Sequence, residues 1–285
     1  MKKVEIVTDS TCDLPIDVVE KYGIIVVPES FVWDGVTYKD GIDLEPGAFY
    51  NRLVNSKTIP TTSQPSPAEF LEVYKPLEEA GSDILSLHIS SKLSGTLDSA
   101  IQASGFIEKT NIKVFDSYSA SLGLGFPVLA AAKAACSGAS LQECFDIAET
   151  VKESTSVGFV IDTLEYLRKG GRIGGAAALL GTALRIKPIL GVKDGRIEVS
   201  EKVRTFNKSL DRMIEIVLGQ ADKTKKLNNG VIQVEAKEEA ESVLERVIAS
   251  FKPEMLGEVF VIRATPVIGI HTGPGTIGLV VSPAV

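Results

Sequence analysis

A run of hydroxyl residues, Ser90-Ser91-Lys92-Leu93-Ser94-Gly95-Thr96, follows the apolar segment Ile84 to Ile89 and leads into a stretch with Leu97, Ala100, Ile101, Ser104 and Ile107 on one helical face. Strand, polar loop and helix in that order place Ser94, Gly95 and Thr96 at a helix start. Unpaired backbone N–H groups and a partial positive charge join the hydroxyls there, a chemistry suited to a carboxylate or a phosphate. The same residues suit plain N-capping, since Ser or Thr before an apolar periodic run is the ordinary way to open a helix. Taken alone, the segment leaves both readings open.

The chain has two histidines. His88, between Leu87 and Ile89, reads as a packed strand residue, whereas His271 stands before Thr272-Gly273-Pro274-Gly275, where a donor is useful. Ser94 and His271 have the residue types of a nucleophile and its base. No third residue is assignable to orient the imidazole, and the strained G-x-S-x-G elbow is missing. Arg168 and Arg172, in Tyr166-Leu167-Arg168-Lys169-Gly170-Gly171-Arg172-Ile173, suit either a ligand carboxylate or the carbonyls of a helix end. Arg204 reads as a surface charge or as part of a partner-docking edge.

Asp9, Asp116 and Asp162 each follow a strand-like run and are read as turn caps in preference to a metal cluster. The three cysteines lack C-x-x-C spacing, so neither a zinc site nor a structural disulfide is expected. Walker A, H-E-x-x-H and kinase signatures are absent. Gly273-Pro274-Gly275-Thr276-Ile277-Gly278 matches G-x-G-x-x-G but leaves no room downstream for a β-α-β unit, so it reads as a tight loop and no cofactor is expected.

The elements that position these residues follow one grammar: a short apolar strand, then Asp, Ser or Thr, then a helix. Val4 to Val7 ends in Thr8-Asp9-Ser10-Thr11-Cys12-Asp13, with Asp13 as cap and Pro15 opening a helix that Gly23 stops. Ile24 to Val27 then completes a β-α-β start and predicts a parallel sheet. Phe31 to Tyr38 reads as a hairpin around Asp34-Gly35, and Thr61 to Pro67 as a polar loop before a helix capped by Ser66. The small-residue segment Ala120 to Ala135 suits a helix packed closely on a sheet, and Ser140 to Glu143 is a capping box. Further on, an apolar helix is expected from Ala176 to Leu184, a hairpin at Asp194-Gly195, and strands at Gly230 to Val234, Glu258 to Ile262 and Ile277 to Val281.

A 285-residue chain with 44% apolar residues and a formal charge of −7 fits an α/β protein of two domains, with the boundary near residue 157. The acidic balance argues against a nucleic-acid partner. No apolar stretch reaches the length of a signal core or bilayer span, so a cytoplasmic location without stable membrane insertion is expected.

Together the loops resemble one family. Thr8-Asp9-Ser10-Thr11-Cys12-Asp13-Leu14, Thr62-Ser63-Gln64-Pro65-Ser66-Pro67, His88 to Thr96, Asp116-Ser117, Tyr166 to Ile173 and His271 to Thr276 occur in the order found in the DegV family, from end to end. The resemblance implies a two-domain DegV-type fold. Residues 1–157 would form an N-terminal, mostly parallel sheet flanked by helices and carry the carboxylate-binding loops; residues 158–285 would form a C-terminal α/β domain with a mixed sheet that closes an acyl-chain tunnel. It further implies a bacterial fatty-acid-binding protein, not an enzyme, that holds one long-chain fatty acid and presents it to a separate ATP-dependent fatty acid kinase. By the same resemblance Thr62, Ser94, Arg172 and His271 surround the fatty acid carboxylate, and Arg204 is a kinase-docking position. An enzyme acting on a small phosphorylated or acyl metabolite is the alternative.

Overall fold

The computed structural model describes residues 2–180 and 186–285. In chain order the first elements are Val4–Asp9 (β1), Ile16–Tyr22 (α1), Ile25–Val27 (β2), Ser30–Trp33 (β3), Val36–Lys39 (β4), Pro46–Asn55 (α2), Thr61–Ser63 (β5), Pro67–Glu79 (α3), Asp83–His88 (β6), Thr96–Ser104 (α4), Ile112–Asp116 (β7), Leu122–Cys136 (α5) and Leu141–Glu153 (α6). They continue with Ser156–Val160 (β8), Glu165–Lys169 (α7), Lys187–Lys193 (β9), Arg196–Val203 (β10), Phe206–Gln220 (α8), Leu227–Val234 (β11), Lys237–Ile248 (α9), Leu256–Arg263 (β12), Pro266–Thr272 (α10) and Thr276–Pro283 (β13).

Three sheets result. The first is parallel, in the order β2-β1-β6-β7, as the β-α-β reading expects. The second is mixed, in the order β10-β9-β8-β13-β11-β12, and the third is a small antiparallel sheet, β4-β3-β5. Both faces of the parallel sheet are covered: Val4, Ile6, Leu85 and Leu87 meet α5 and α6, while Val7, Val27 and Ile84 meet α3 and α4. The last strand of the chain, β13, is inserted antiparallel between β8 and β11 and is buried along its whole length.

Helix α5 explains how the two large sheets meet. Leu122, Phe126, Leu129 and Ala130 join the cluster that includes Ile232 and Val280 of the mixed sheet; Leu124, Val128, Ala131 and Ala132 join the cluster under the parallel sheet. A helix buried on both sides is apolar all round, which is why this segment carries no amphipathic stripe. Close approach depends on its small residues: a Cβ at Gly125 would stand 2.4 Å from the carbonyl oxygen of Cys12.

Several local expectations change. Thr61–Ser63 is a strand, with Thr62 opposite Phe31, instead of part of a loop. Its β-branched threonines suit a strand, but three residues are too few to show a period. The helix expected from Ala176 to Leu184 is a short 3-10 segment, Gly174–Leu179, within the described residues, and residues 181–185 lie outside them. Gly174 and Gly175 weaken a helix start there, and Gly174 sits so near β10 that a Cβ would fall 2.1 Å from the carbonyl oxygen of Ile197. Asp13 does not cap α1, whose N-cap is Pro15 without a side-chain bond. The strands of the parallel sheet lie within residues 4–116 and those of the mixed sheet within 156–283.

Asp13 instead fastens α10, a helix that the sequence reading did not find. Its Oδ1 accepts from the Thr265 N–H at 2.9 Å and its Oδ2 from Ser121 Oγ at 2.5 Å, while Asp40 Oδ1 accepts from the Val267 N–H at 3.1 Å. Two carboxylates from the first half of the chain thus satisfy two N–H groups at the start of α10, those of Thr265 and Val267. Tyr50 adds a phenol that donates to the carbonyl of Ala264 at 2.9 Å, and Gly269 leaves room for it. Burial pushes Asp13 up to about 7 and Asp40 up to about 6 from an ordinary 3.8. Because both values are raised on folding, their contribution to stability is fully present below the ordinary value and is lost as pH rises through about 6 to 7. Asp13→Asn, which keeps the acceptor for Thr265, should shrink the fall in urea midpoint between acidic and alkaline buffer. Asp13→Ala should cost about 1–3 kcal/mol through the unpaired N–H. An unchanged midpoint in both variants would exclude the clamp.

Candidate ligand-binding site

Between the mixed sheet and the loops of the first half lies a cavity of about 280 Å³, near the lower end of the roughly 300–1,000 Å³ of small-molecule sites. Its apolar wall is one face of the mixed sheet: Val157 and Phe159 on β8, Ile232 on β11 and Val280 on β13. The opposite face of the same strands, with Val160, Val231, Leu279 and Val281, packs on α8 and α9. Strand alternation therefore divides one sheet into a core face and a cavity face. Gly278 adds to the space, since a Cβ there would meet only ordinary contacts of 3.5–3.6 Å with Ile232 and Phe159.

Thr62, Ser94, Arg172 and His271, from four distant segments, line this cavity together. Arg204 does not; it is exposed just beyond β10. Arg168 is also exposed, on α7.

His271 rides on the last turn of α10, and its Nε2 lies 2.9 Å from Thr62 Oγ1. Its Nδ1 is buried without a hydrogen-bond partner among the described residues. A lone pair is cheaper to leave unpaired in the interior than an N–H, which assigns the proton to Nε2. His271 then donates to Thr62, and the threonine hydroxyl is left to donate into the cavity. Burial first, and the charge of Arg172 second, lower the imidazole to about 4 from an ordinary 6.5, so it is neutral at physiological pH. As pH falls between those values the unfolded chain takes up the proton first, so this residue costs stability in that window.

Arg172 ties the second half of the chain to the hydroxyl loop. Its Nε donates to the carbonyl of Leu93 at 2.9 Å and its Nη1 to that of Gly170 at 2.7 Å. It therefore satisfies carbonyls and presents a cation to the cavity, the two roles that the sequence left open. Ser94 is not a conventional cap, because Gly95 is the N-cap residue of α4 and no side chain caps it. The Ser94 hydroxyl is instead 2.8 Å from Thr96 Oγ1, and Thr96 donates to Glu29. Gly95 is required for proximity, since a Cβ would fall within 2.6 Å of the Gln64 amide.

Glu29 and Gln64 also line the cavity and were assigned no role from sequence. A lone acid in Val26-Val27-Pro28-Glu29-Ser30-Phe31 was the available signal for Glu29. His88 is wholly buried away from the cavity lining: Nδ1 lies 3.0 Å from Asp9 Oδ2 and Nε2 lies 2.7 Å from Ser86 Oγ, which contacts the Tyr74 hydroxyl at 2.7 Å. Asp9 also accepts from the Thr11 N–H and Asp116 from the Tyr118 N–H, as turn caps do. Among the described residues no group of three or more His, Cys, Asp or Glu is arranged to hold a metal ion.

A family model described as uncharacterised protein, DegV family, matches residues 3–284. The chain belongs to the DegV family. A DegV domain-containing protein of Clostridium perfringens is 38% identical over 282 residues, covering 97% of each chain. Among solved DegV structures, a fatty-acid-binding family member from Thermus thermophilus has a TM-score of 0.92 at 36% identity, over 99% of this chain and 100% of that one. DegV of Bacillus subtilis, described as a fatty acid binding protein, gives 0.92 at 31% identity over 100% of both chains. A stearic acid-binding protein from Eubacterium ventriosum gives 0.88 at 28% identity, covering 99% of this chain and 98% of the other. The parallel and mixed α/β sheets are thus those of the DegV fold.

One glycine of this DegV site offers a clean test of the His271 geometry. Gly170 has helical dihedrals, which alanine adopts freely, yet a Cβ there would lie 2.1 Å from His271 Nδ1. With two histidines in the chain, the imidazole proton resonances are simple to follow. Gly170→Ala should move the His271 titration midpoint from about 4 toward the ordinary 6.5 as the ring is driven from its buried position. A midpoint that stays in place would show that the ring does not occupy the space next to Gly170.

Proposed function

We propose that this protein binds one long-chain fatty acid, holding the carboxylate at Thr62, Ser94, Arg172 and His271 and laying the acyl chain along the apolar face of the mixed sheet. The observation that carries this reading is the meeting of those four side chains at a cavity otherwise walled mainly by valine, isoleucine, leucine and phenylalanine. Solved relatives described as fatty-acid-binding proteins support it. A carboxylate has an ordinary pKa of about 4, so beside a guanidinium and two hydroxyls it stays ionised. Each buried methylene contributes roughly 0.8 kcal/mol, which makes the chain the main source of affinity and the head the source of orientation.

On this reading residues 1–157 supply the loops of Thr62 and Ser94, while residues 158–285 supply Arg172 and His271 and close the acyl tunnel. The protein works in the cytoplasm without catalysis of its own. It presents the carboxylate to a separate ATP-dependent fatty acid kinase, with Arg204 on the docking surface. The enzyme reading has less support: Nε2 of His271 engages Thr62 and the Ser94 hydroxyl engages Thr96, so serine and imidazole are not paired as nucleophile and base. Among the described residues no helix is long and apolar enough to cross a membrane.

Organic extraction of the purified protein followed by mass spectrometry should release near-stoichiometric fatty acid. Thr62→Val and Ser94→Ala should each weaken binding by about 1.5–3 kcal/mol through loss of a bond to a charged group. Gly278→Leu, which fills the wall and leaves the head untouched, should penalise longer acyl chains by roughly 0.8 kcal/mol per displaced methylene. A protein that carries no lipid and takes up none on addition would refute the proposal.

A further inference from the structure

Glu29 lies between β2 and β3, is 2% exposed, and lines the same cavity as Ser94. A carboxylate is an unexpected neighbour for the head of a fatty acid, and its contacts explain the placement. Glu29 Oε1, Thr96 Oγ1 and Ser94 Oγ stand in line, with 2.8 Å between the two hydroxyls, and the Thr96 N–H donates to Ser94 Oγ at 3.4 Å. Each hydroxyl has one proton to give, so the direction of the line is set at its acid end. With Glu29 ionised, Thr96 donates to Glu29 and Ser94 donates to Thr96, which leaves Ser94 with lone pairs toward the cavity. With Glu29 protonated, the line reverses. Glu29 donates to Thr96, Thr96 to Ser94, and the Ser94 hydrogen is turned to the ligand.

We propose that Glu29 is a positioning residue that carries a proton when the ligand's carboxylate is bound, and that this proton aims the Ser94 hydroxyl at the carboxylate. The inference rests on the fatty-acid reading above. One carboxylate enters and one proton passes from the buffer acid to Glu29: the acid's bond to that proton breaks, leaving its conjugate base in solution, the Glu29 O–H forms, and the net charge of the site is unchanged. Among the described residues the charged groups that act on Glu29 are Asp9 at the end of β1, Asp40 after β4, and Arg172; neutral His271 shares the cavity, and His88 bonds to Asp9. Burial first and Asp9 second hold Glu29 well above the usual carboxylate range, against the opposing effects of Thr96 and Arg172.

The test uses the full-length chain with oleate as probe and calorimetry in buffers of different ionisation heat, from neutral to alkaline pH. Wild-type protein should take up about one proton per oleate once free Glu29 is ionised, and its affinity should then fall by up to about tenfold per pH unit. Glu29→Gln should bind oleate without that uptake or slope, and carboxyl-labelled oleate should give the carbon resonance of a carboxylate in both proteins. If Glu29→Gln does not fold, Thr96→Val breaks the line at its middle and should remove the slope in the same way. Equal proton uptake and slope in wild type and variant, or a bound carboxyl resonance typical of the neutral acid, overturns the proposal while leaving fatty-acid binding intact. Absence of oleate binding at every pH overturns the fatty-acid reading and this one with it.

Discussion

Polar groups buried between two sheets must find partners across the junction, and this requirement organises the molecule. Asp13 and Asp40 bring acceptors from the first half of the chain to the N–H groups that open α10 in the second. Arg172 returns the favour by donating to Leu93, and His271 donates to Thr62 across 209 residues of sequence. An unpaired buried donor costs about 1–3 kcal/mol, so each of these bonds resists separation of the halves more through what its loss would leave behind than through its own net strength.

Satisfying those groups creates a second tension. A cavity with an ionisable head needs low dielectric to make its hydroxyls and cation effective, yet low dielectric penalises every nearby charge. Burial acts on each of them in the expected direction: it drives His271 down, which keeps the imidazole neutral at physiological pH, and pushes Asp13, Asp40 and Glu29 up. Arg172 faces the cavity with two carbonyls as fixed partners. The apolar wall needs no such compensation, because its valines and isoleucines alternate with core residues on strands that are buried on both faces.

Much of this was legible beforehand. The strand-to-helix grammar, the Asp34-Gly35 hairpin, the cap at Ser66, the capping box at Ser140, and the helix stop at Gly23 rest on local backbone chemistry, and the structure contains them. The features that failed to show were short ones held by distant partners. Thr61–Ser63 is a strand because β3 pairs with it, and Pro266–Thr272 is a helix whose start is satisfied by Asp13 and Asp40. Thr265 before it, Pro266 at its first position and Gly273 after it were its punctuation, but seven residues allow too little periodicity to be read.

By itself the sequence determined which segments alternate, where they stop, and which loops carry hydroxyls, cations and imidazole, because propensity, capping and turn chemistry act within a few residues. Only the tertiary structure decided that Thr62, Ser94, Arg172 and His271 share one cavity, that Glu29 stands behind Ser94, and that Arg204 stands apart. Those relations depend on burial and on pairing between residues far apart in the chain, and such long-range terms leave no spacing that a linear pattern records.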